Sequence, residues 1–330
     1  MTASLRSVLR CLLTSLLLLL GSTNAASFSN PLKGPNGSDP YMVYVDDYYY
    51  LTTTTWTDVQ ITRATTLEGL KTGEVKTVWS DSDPSRCCSV WAPEFHLIDG
   101  VWYLYYTAGS SDTLDNQRVH VLQGGASPWD SYTYLDQVTP EWGIDGTVLT
   151  VDSQNYLIWS CMANDIQCNC IATLDTPSTT GETHILSEPL EDWETVGAPV
   201  NEGAAPLYHD GNIWVAYSAS YCWTSNYSLA LLAYDGSGDP LDIASWTKSD
   251  GPVFVSADGN YGTGHNAFFT SPDGAEIWNV YHATAIEEGA CDGSRYAAAQ
   301  RVDWNADGTP DLGVAVAVGT VLDGPSGESA

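Results

Sequence analysis

Apolar and polar residues alternate in short runs through most of the chain. Each run is broken by a turn such as VDD, DGV, SQN, DGN or PDG, the Gly, Asp and Asn combinations that tight hairpins use. Capped stretches with a 3.6-residue apolar stripe are absent apart from brief turns such as LDIAS near Leu241. The pattern predicts an all-β protein. Five runs are dense in Tyr and Trp: residues 48–54 (YYYLTTT), 101–108 (VWYLYYTA), 155–161 (NYLIWSC), 212–219 (NIWVAYSA) and 276–283 (EIWNVYHA). Ahead of each stands one candidate functional side chain: Asp39 in SDPY, Glu94 in WAPE, Asp145 in IDGTVL, Glu202 in NEGAAP and His265 in GHNAFF. These are separated by 55, 51, 57 and 63 residues, the period of a repeat built from several short strands. Such repeats make propeller blades, whose equivalent positions converge on a central axis. The expected fold is a five-bladed β-propeller with four acids and a histidine near its centre.

The chain ends read differently. Arg6 and Arg10, the apolar residues 11–20 and small residues up to Ala25 have the form of a secretory signal peptide over residues 1–25. No later segment is long and apolar enough to span a bilayer. An exported protein with one propeller domain over residues 26–330 is expected, entered by an extended segment at 26–35. Residues 303–313 (DWNADGTPDLG) suit a last hairpin that closes the ring, with the chain fraying beyond Asp323. Residues 109–117 (GSSDTLDNQ) read as a polar loop. NADGTPDLG lacks the regular oxygen ligands and terminal Glu of a calcium loop and reads as a turn.

The net charge of -30 repels phosphate backbones and anionic lipid, so nucleic acid and membrane are excluded as partners. A neutral partner is expected. Tyr (19) and Trp (13) outnumber Phe (5), a bias toward rings that carry a polar handle and present a face to a sugar. The same residues also suit strands, which accounts for most of them. Beyond the leader, seven cysteines remain: Cys87, Cys88, Cys161, Cys168, Cys170, Cys222 and Cys291. Export favours disulfides over metal, and the odd count leaves one thiol unpaired. Asn36 (NGS) and Asn226 (NYS) are glycosylation acceptors.

Cleaving a glycosidic bond without a cofactor takes an acid to protonate the departing oxygen and a base to deprotonate water on the opposite face of the sugar. A third carboxylate nearby raises the acid's pKa by like-charge repulsion. SDPY, IDGTVL and NEG supply one acid from each of three repeats. With GSDPYMVYVDDYYYLTT, SVWAPEFHLIDGVWYLYYTAG, IDGTVL, NEGAAPLYHDG and GTGHNAFFTSPDG in place, the whole mature chain resembles glycoside hydrolase family 43. The resemblance implies a five-bladed propeller that hydrolyses arabinofuranosides, xylosides or galactans with inversion. It also implies Asp39 as general base, Glu202 as general acid and Asp145 as the group that tunes and orients the acid.

Each residue has a plainer reading. Asp39 before Pro40 and Asp145 before Gly146 also suit simple turns. Glu202 is harder to dismiss, because an uncompensated carboxylate in its apolar surroundings is costly. Glu94 is expected to shape a subsite and Trp91 to offer a sugar platform. His265 completes the ring of five; resemblance suggests that it approaches a calcium ion in the central channel, and no other cofactor is expected. Arg295, in GSRYAAAQRVDW, is a candidate for contacting substrate or modulating an acid. The leading expectation is a secreted, monomeric, exo-acting α-L-arabinofuranosidase working on arabinan or arabinoxylan of plant cell walls. A β-xylosidase or exo-galactanase of the same family, a retaining fructosidase-type propeller and a non-catalytic sugar-binding propeller are the alternatives.

Overall fold

The computed structural model describes residues 26–329; the expected signal peptide lies outside them. Five antiparallel sheets follow one another along the chain and form a five-bladed β-propeller. Blade 1 runs Tyr41–Val45, Tyr48–Thr52, Val59–Ala64 and Glu74–Trp79. Blade 2 runs Cys88–Ile98, Val101–Gly109, Arg118–Gln123 and Thr133–Gln137. Blade 3 is Gly143–Val151, Gln154–Ala163, Ile166–Thr176 and His184–Ser187, with the short strand Thr179–Thr180 paired beside it. Blade 4 is Asn201–His209, Asn212–Ala219, Ser228–Tyr234 and Trp246–Lys248. Blade 5 is Tyr261–Thr270, Ile277–Thr284 and Tyr296–Arg301.

The Tyr- and Trp-rich runs are the second strands of the blades. They bury side chains on both faces because each blade is sandwiched between two others, which is why Tyr105 and Tyr106, adjacent in sequence, are both fully buried. The core is therefore divided into layers between blades. One joins blades 2 and 3 through Tyr105, Val119, Leu157 and Trp159, and another joins blades 3 and 4 through Leu149, Ile158, Val215 and Tyr217. A large buried apolar side chain is worth roughly 1.5–3 kcal/mol, so these layers fix the blades relative to one another. The first strands of neighbouring blades contact each other around the axis. Residues from all five line a cavity of 570 Å³, among them Tyr41, His96, Thr147, Tyr208 and Phe268.

Residues 303–313 do form a hairpin, with Asp303–Trp304 paired to Pro310–Asp311. It is a separate two-stranded unit and does not close the ring. Closure comes from the N-terminal segment, where Leu32 N–H donates to Ala297 O (2.8 Å) and Ala297 N–H donates to Lys33 O (2.7 Å) along the outer edge of blade 5. Ser27–Ser29 pairs with Val321–Asp323, tying the two ends of the described chain together. Beyond Asp323 the chain stays attached: Glu328 is buried and accepts a hydrogen bond from Leu67 N–H at 3.1 Å. Three disulfides form, Cys87–Cys88, Cys161–Cys170 and Cys222–Cys291, leaving Cys168 as a buried thiol. Asn36 and Asn226 are exposed.

Candidate active site

Each blade presents one residue to the axis in the left-handed conformation: Asp39 (φ 55), Ala92 (φ 44), Asp145 (φ 58), Gly203 (φ 56) and His265 (φ 40). In blades 2 to 5 the ladder slips at this point, between Trp91 and Glu94, Ile144 and Thr147, Glu202 and Ala205, and Gly264 and Ala267. A bulge of this kind bends the first strand and re-aims its side chain. Asp adopts the left-handed region readily, whereas Ala and His do so only when the surroundings enforce it. Asp39, Asp145 and His265 thus occupy equivalent places, as their spacing predicted. Glu202 stands one residue before its blade's left-handed position and Glu94 two residues after, so neither is equivalent to the others.

His265 is the hub of the cluster. Its Nδ1 lies 3.2 Å from Asp39 Oδ1 and 3.9 Å from Asp145 Oδ2, and Gly203, next to Glu202, packs against the face of its ring. A Cβ at Gly203 would sit 2.8 Å from His265 Cγ. Asp39 Oδ1 also faces Arg295 Nη1 at 3.7 Å, while Asp39 Oδ2 accepts from the Thr54 hydroxyl. Arg295 is held in turn by the carbonyl oxygens of Ala290 (2.6 Å) and Cys222 (3.1 Å). Glu202 Oε2 accepts from Gln167 Nε2 and its Oε1 from the Tyr227 hydroxyl, both at 2.8 Å.

Glu94 is buried, with Oε2 3.0 Å from His96 Nε2. Trp91 is half-buried and meets Trp56 edge-on at 6.0 Å.

The electrostatics set these carboxyls apart. Burial would raise Asp39, but the facing His265 and the Arg295 guanidinium outweigh it and hold that carboxyl well below the usual range. Asp145 shares only His265, at 3.9 Å, among these partners. Burial pushes it up to about 8, with His265 opposing and the carboxylates of Glu202, Asp39 and Glu94 adding to the rise. Burial lowers His265, and the surrounding charges of Asp39, Asp145, Glu202 and Glu94 more than offset that, leaving it raised. Two carboxyls of one cluster, Asp39 and Asp145, are therefore pushed in opposite directions.

Two consequences follow for stability. A carboxyl raised by folding contributes fully below its unfolded value of 3.8 and loses that contribution as pH climbs toward about 8. A raised His265 behaves in the same sense, losing its contribution as pH rises from 6.5 through its folded value. The melting temperature is expected to fall between about pH 5 and pH 8, and Asp145→Asn, which mimics the protonated carboxyl, flattens that slope in calorimetric scans. A slope unchanged in the variant contradicts the assignment. Gly203→Ala places a Cβ in a left-handed residue, costing about 1 kcal/mol, and drives it into the His265 ring. A fall of about 2 °C or more in melting temperature is expected, and a variant with wild-type melting shows that the ring yields freely.

Calcium takes six to eight oxygen ligands. The carboxylate oxygens nearest His265 are those of Asp39 and Asp145, with which its Nδ1 is already engaged. Among the described residues no group of three or more His, Cys, Asp and Glu could hold a metal ion. The protein side chains around His265 thus lend no support to a calcium site there.

Sequence reasoning missed Gln167, Tyr227, Thr54 and His282, which come from second and third strands or the turns beside them. One column would have found two of them: the ends of the aromatic runs, Thr54, Thr107, Ser160, Ser218 and His282, contain four hydroxyls and one histidine.

The model of the Glycosyl hydrolases family 43 matches residues 28–310. An extracellular exo-α-(1→5)-L-arabinofuranosidase of Streptomyces avermitilis is 36% identical over 314 residues, covering 89% of this chain and 65% of that protein. An α-L-arabinofuranosidase of Humicola insolens is 34% identical over 309 residues, covering 88% of this chain and 63% of that protein. The chain thus spans less than two thirds of the length of these two relatives. The crystal structure of an α-L-arabinofuranosidase from Lactobacillus brevis superposes with a TM-score of 0.83 at 31% identity, covering 89% of this chain and 98% of that one.

Proposed function

The chain belongs to the Glycosyl hydrolases family 43, and from that premise we propose that it is an inverting, exo-acting α-L-arabinofuranosidase. The observation that carries the proposal is the meeting of Asp39, Asp145 and His265 at one axial cluster, with Glu202 beside the glycine that touches the same histidine. In the reaction, Asp39 takes a proton from water, whose oxygen attacks the anomeric carbon of arabinofuranose. The bond from that carbon to the leaving oxygen breaks, and Glu202 delivers its proton to that oxygen. Asp39 ends protonated and Glu202 ionised, and solvent resets both. Asp145 is the group proposed to orient and tune Glu202, and the two are linked by charge, since Glu202 is among the carboxylates that raise Asp145. His265 and Arg295 hold Asp39 ionised and able to receive the water proton.

Arabinose is proposed as the sugar because the relatives at 34% and 36% identity are named for its release. The substrate is proposed to be arabinan or arabinoxylan of plant cell walls, met outside the cell by a monomer. The extracellular name of the Streptomyces relative and the three disulfides support secretion. Within residues 26–330 we propose one domain, with Trp91 and Glu94 shaping the sugar site. The test is product release by purified protein from linear arabinan, an aryl α-L-arabinofuranoside and an aryl β-xyloside. Arabinose from the first two is expected; xylose alone overturns the specificity, and no release from any glycoside favours a sugar-binding role.

A further inference from the structure

Thr54, Thr107, Ser160, Ser218 and His282 occupy one position in the five blades, each across the ladder from the residue that precedes the left-handed one. Thr107 pairs with Trp91, Ser160 with Ile144, Ser218 with Glu202 and His282 with Gly264; Thr54 N–H donates to Ser38 O. At four of the five junctions this side chain accepts the amide of the left-handed residue in the next blade. Thr54 receives Ala92 N–H at 2.8 Å, Thr107 receives Asp145 N–H at 3.0 Å and Ser218 receives His265 N–H at 2.7 Å. At the junction that closes the ring the acceptor is an imidazole: Asp39 N–H donates to His282 Nδ1 at 3.1 Å.

His282 is fully buried. Its ring stacks on Tyr227 with centroids 5.6 Å apart and planes 10° off parallel. The Tyr227 hydroxyl reaches Glu202 Oε1, so an unbroken line of contacts runs from Asp39 through His282 and Tyr227 to Glu202. We propose that His282 is a positioning residue that, as a neutral imidazole with a bare Nδ1, anchors the backbone of Asp39 and, through its stack on Tyr227, sets the span between Asp39 and Glu202. The proposal rests on the roles given above to those two carboxyls.

Nδ1 faces Asp39 N–H at 3.1 Å and Asp39 Oδ1 at 3.3 Å. The amide always carries its proton and is the nearer of the two, with its N–H aimed at the nitrogen, so Nδ1 accepts and carries no proton of its own. The groups around the ring are Asp39, His265, Arg295 and Tyr227. Burial first, and Arg295 with it, pushes the imidazole down to about 3, against the pull of Asp39. Nε2 has no hydrogen-bond partner among the described residues, so the ring is held through Nδ1 and its stack. The hydroxyls at the other junctions accept an amide equally well but have no ring to stack. Inversion needs the two carboxyls about 6.5–9.5 Å apart, with room for water, and a displacement near 1 Å costs on the order of a hundredfold in rate.

His282→Ser restores the hydroxyl of the other junctions while removing the ring, and His282→Ala removes both. The Ser variant is expected to melt close to wild type, with kcat for an aryl α-L-arabinofuranoside down about a hundredfold and KM unchanged. The Ala variant loses melting temperature as well. Wild-type kcat in the folded Ser variant overturns the proposal. Nitrogen-15 NMR of histidine-labelled wild-type protein gives a reading independent of activity: His282 should carry its proton on Nε2 and hold it unchanged from about pH 5 to 8. A proton on Nδ1, or titration in that window, overturns the proposal as well. A wild-type protein inert on all glycosides defeats the functional reading, and the NMR result still decides the state of His282.

Discussion

Glu202→Ala is expected to lower kcat on linear arabinan by about 10²–10⁴-fold, the range a positioned general acid contributes. The loss should shrink steadily on aryl α-L-arabinofuranosides as the phenol becomes more acidic, because a good leaving group departs without a proton. The structure supports this reading through the partners of Glu202. Gln167 and the Tyr227 hydroxyl each donate to one of its oxygens, so the carboxylate left after proton delivery is met by donors already in place. Gln167 Nε2 also donates to the Ser160 hydroxyl at 2.9 Å, and the strand pairing of residue 202 with Ser218 is a backbone feature. The fold should survive, with the loss confined to kcat. An equal loss on every leaving group would mean that Glu202 does not deliver the proton.

Asp39→Asn is expected to cost a comparable 10²–10⁴-fold with no dependence on the leaving group, since activating water matters equally for all of them. Asn is among the few residues that accept the left-handed backbone at φ 55 without penalty, and it keeps an oxygen for the Thr54 hydroxyl. The amide that His282 receives is likewise untouched. What disappears is the negative charge facing His265 and Arg295. His265 should then titrate lower than in the wild type, because Asp39 leads the charges that raise it. A variant that loses affinity but keeps kcat would instead make Asp39 a binding residue.

Much of this architecture was legible before any coordinates because hydrophobic alternation and turn pairs are local properties. The five aromatic runs are five second strands, and the spacing of Asp39, Asp145 and His265 is the spacing of the left-handed backbone positions they occupy. The repeat was misphased in two blades for a physical reason. In sequence the acids stand out as the repeating feature, whereas the structure repeats a backbone conformation, which in blade 2 falls on Ala92 and in blade 4 on Gly203. Neither residue advertises chemistry. Ring closure was assigned to the wrong end because a hairpin such as 303–313 is visible locally, while the pairing of Leu32 and Lys33 with Ala297 joins residues more than 250 positions apart. Gln167 and Tyr227 escaped notice for the same reason: nothing in their own neighbourhoods points to Glu202. His282 left the clearest trace, as the single histidine in a column of hydroxyls that also holds Thr54.

The central claim, that Asp39 and Glu202 work from opposite faces of the sugar through a single displacement, is tested most directly by following hydrolysis of an aryl α-L-arabinofuranoside by proton NMR from the first turnovers. The account predicts that β-arabinofuranose appears first and the α anomer only later, by mutarotation. Initial appearance of the α anomer would mean a covalent intermediate on the enzyme and would contradict it.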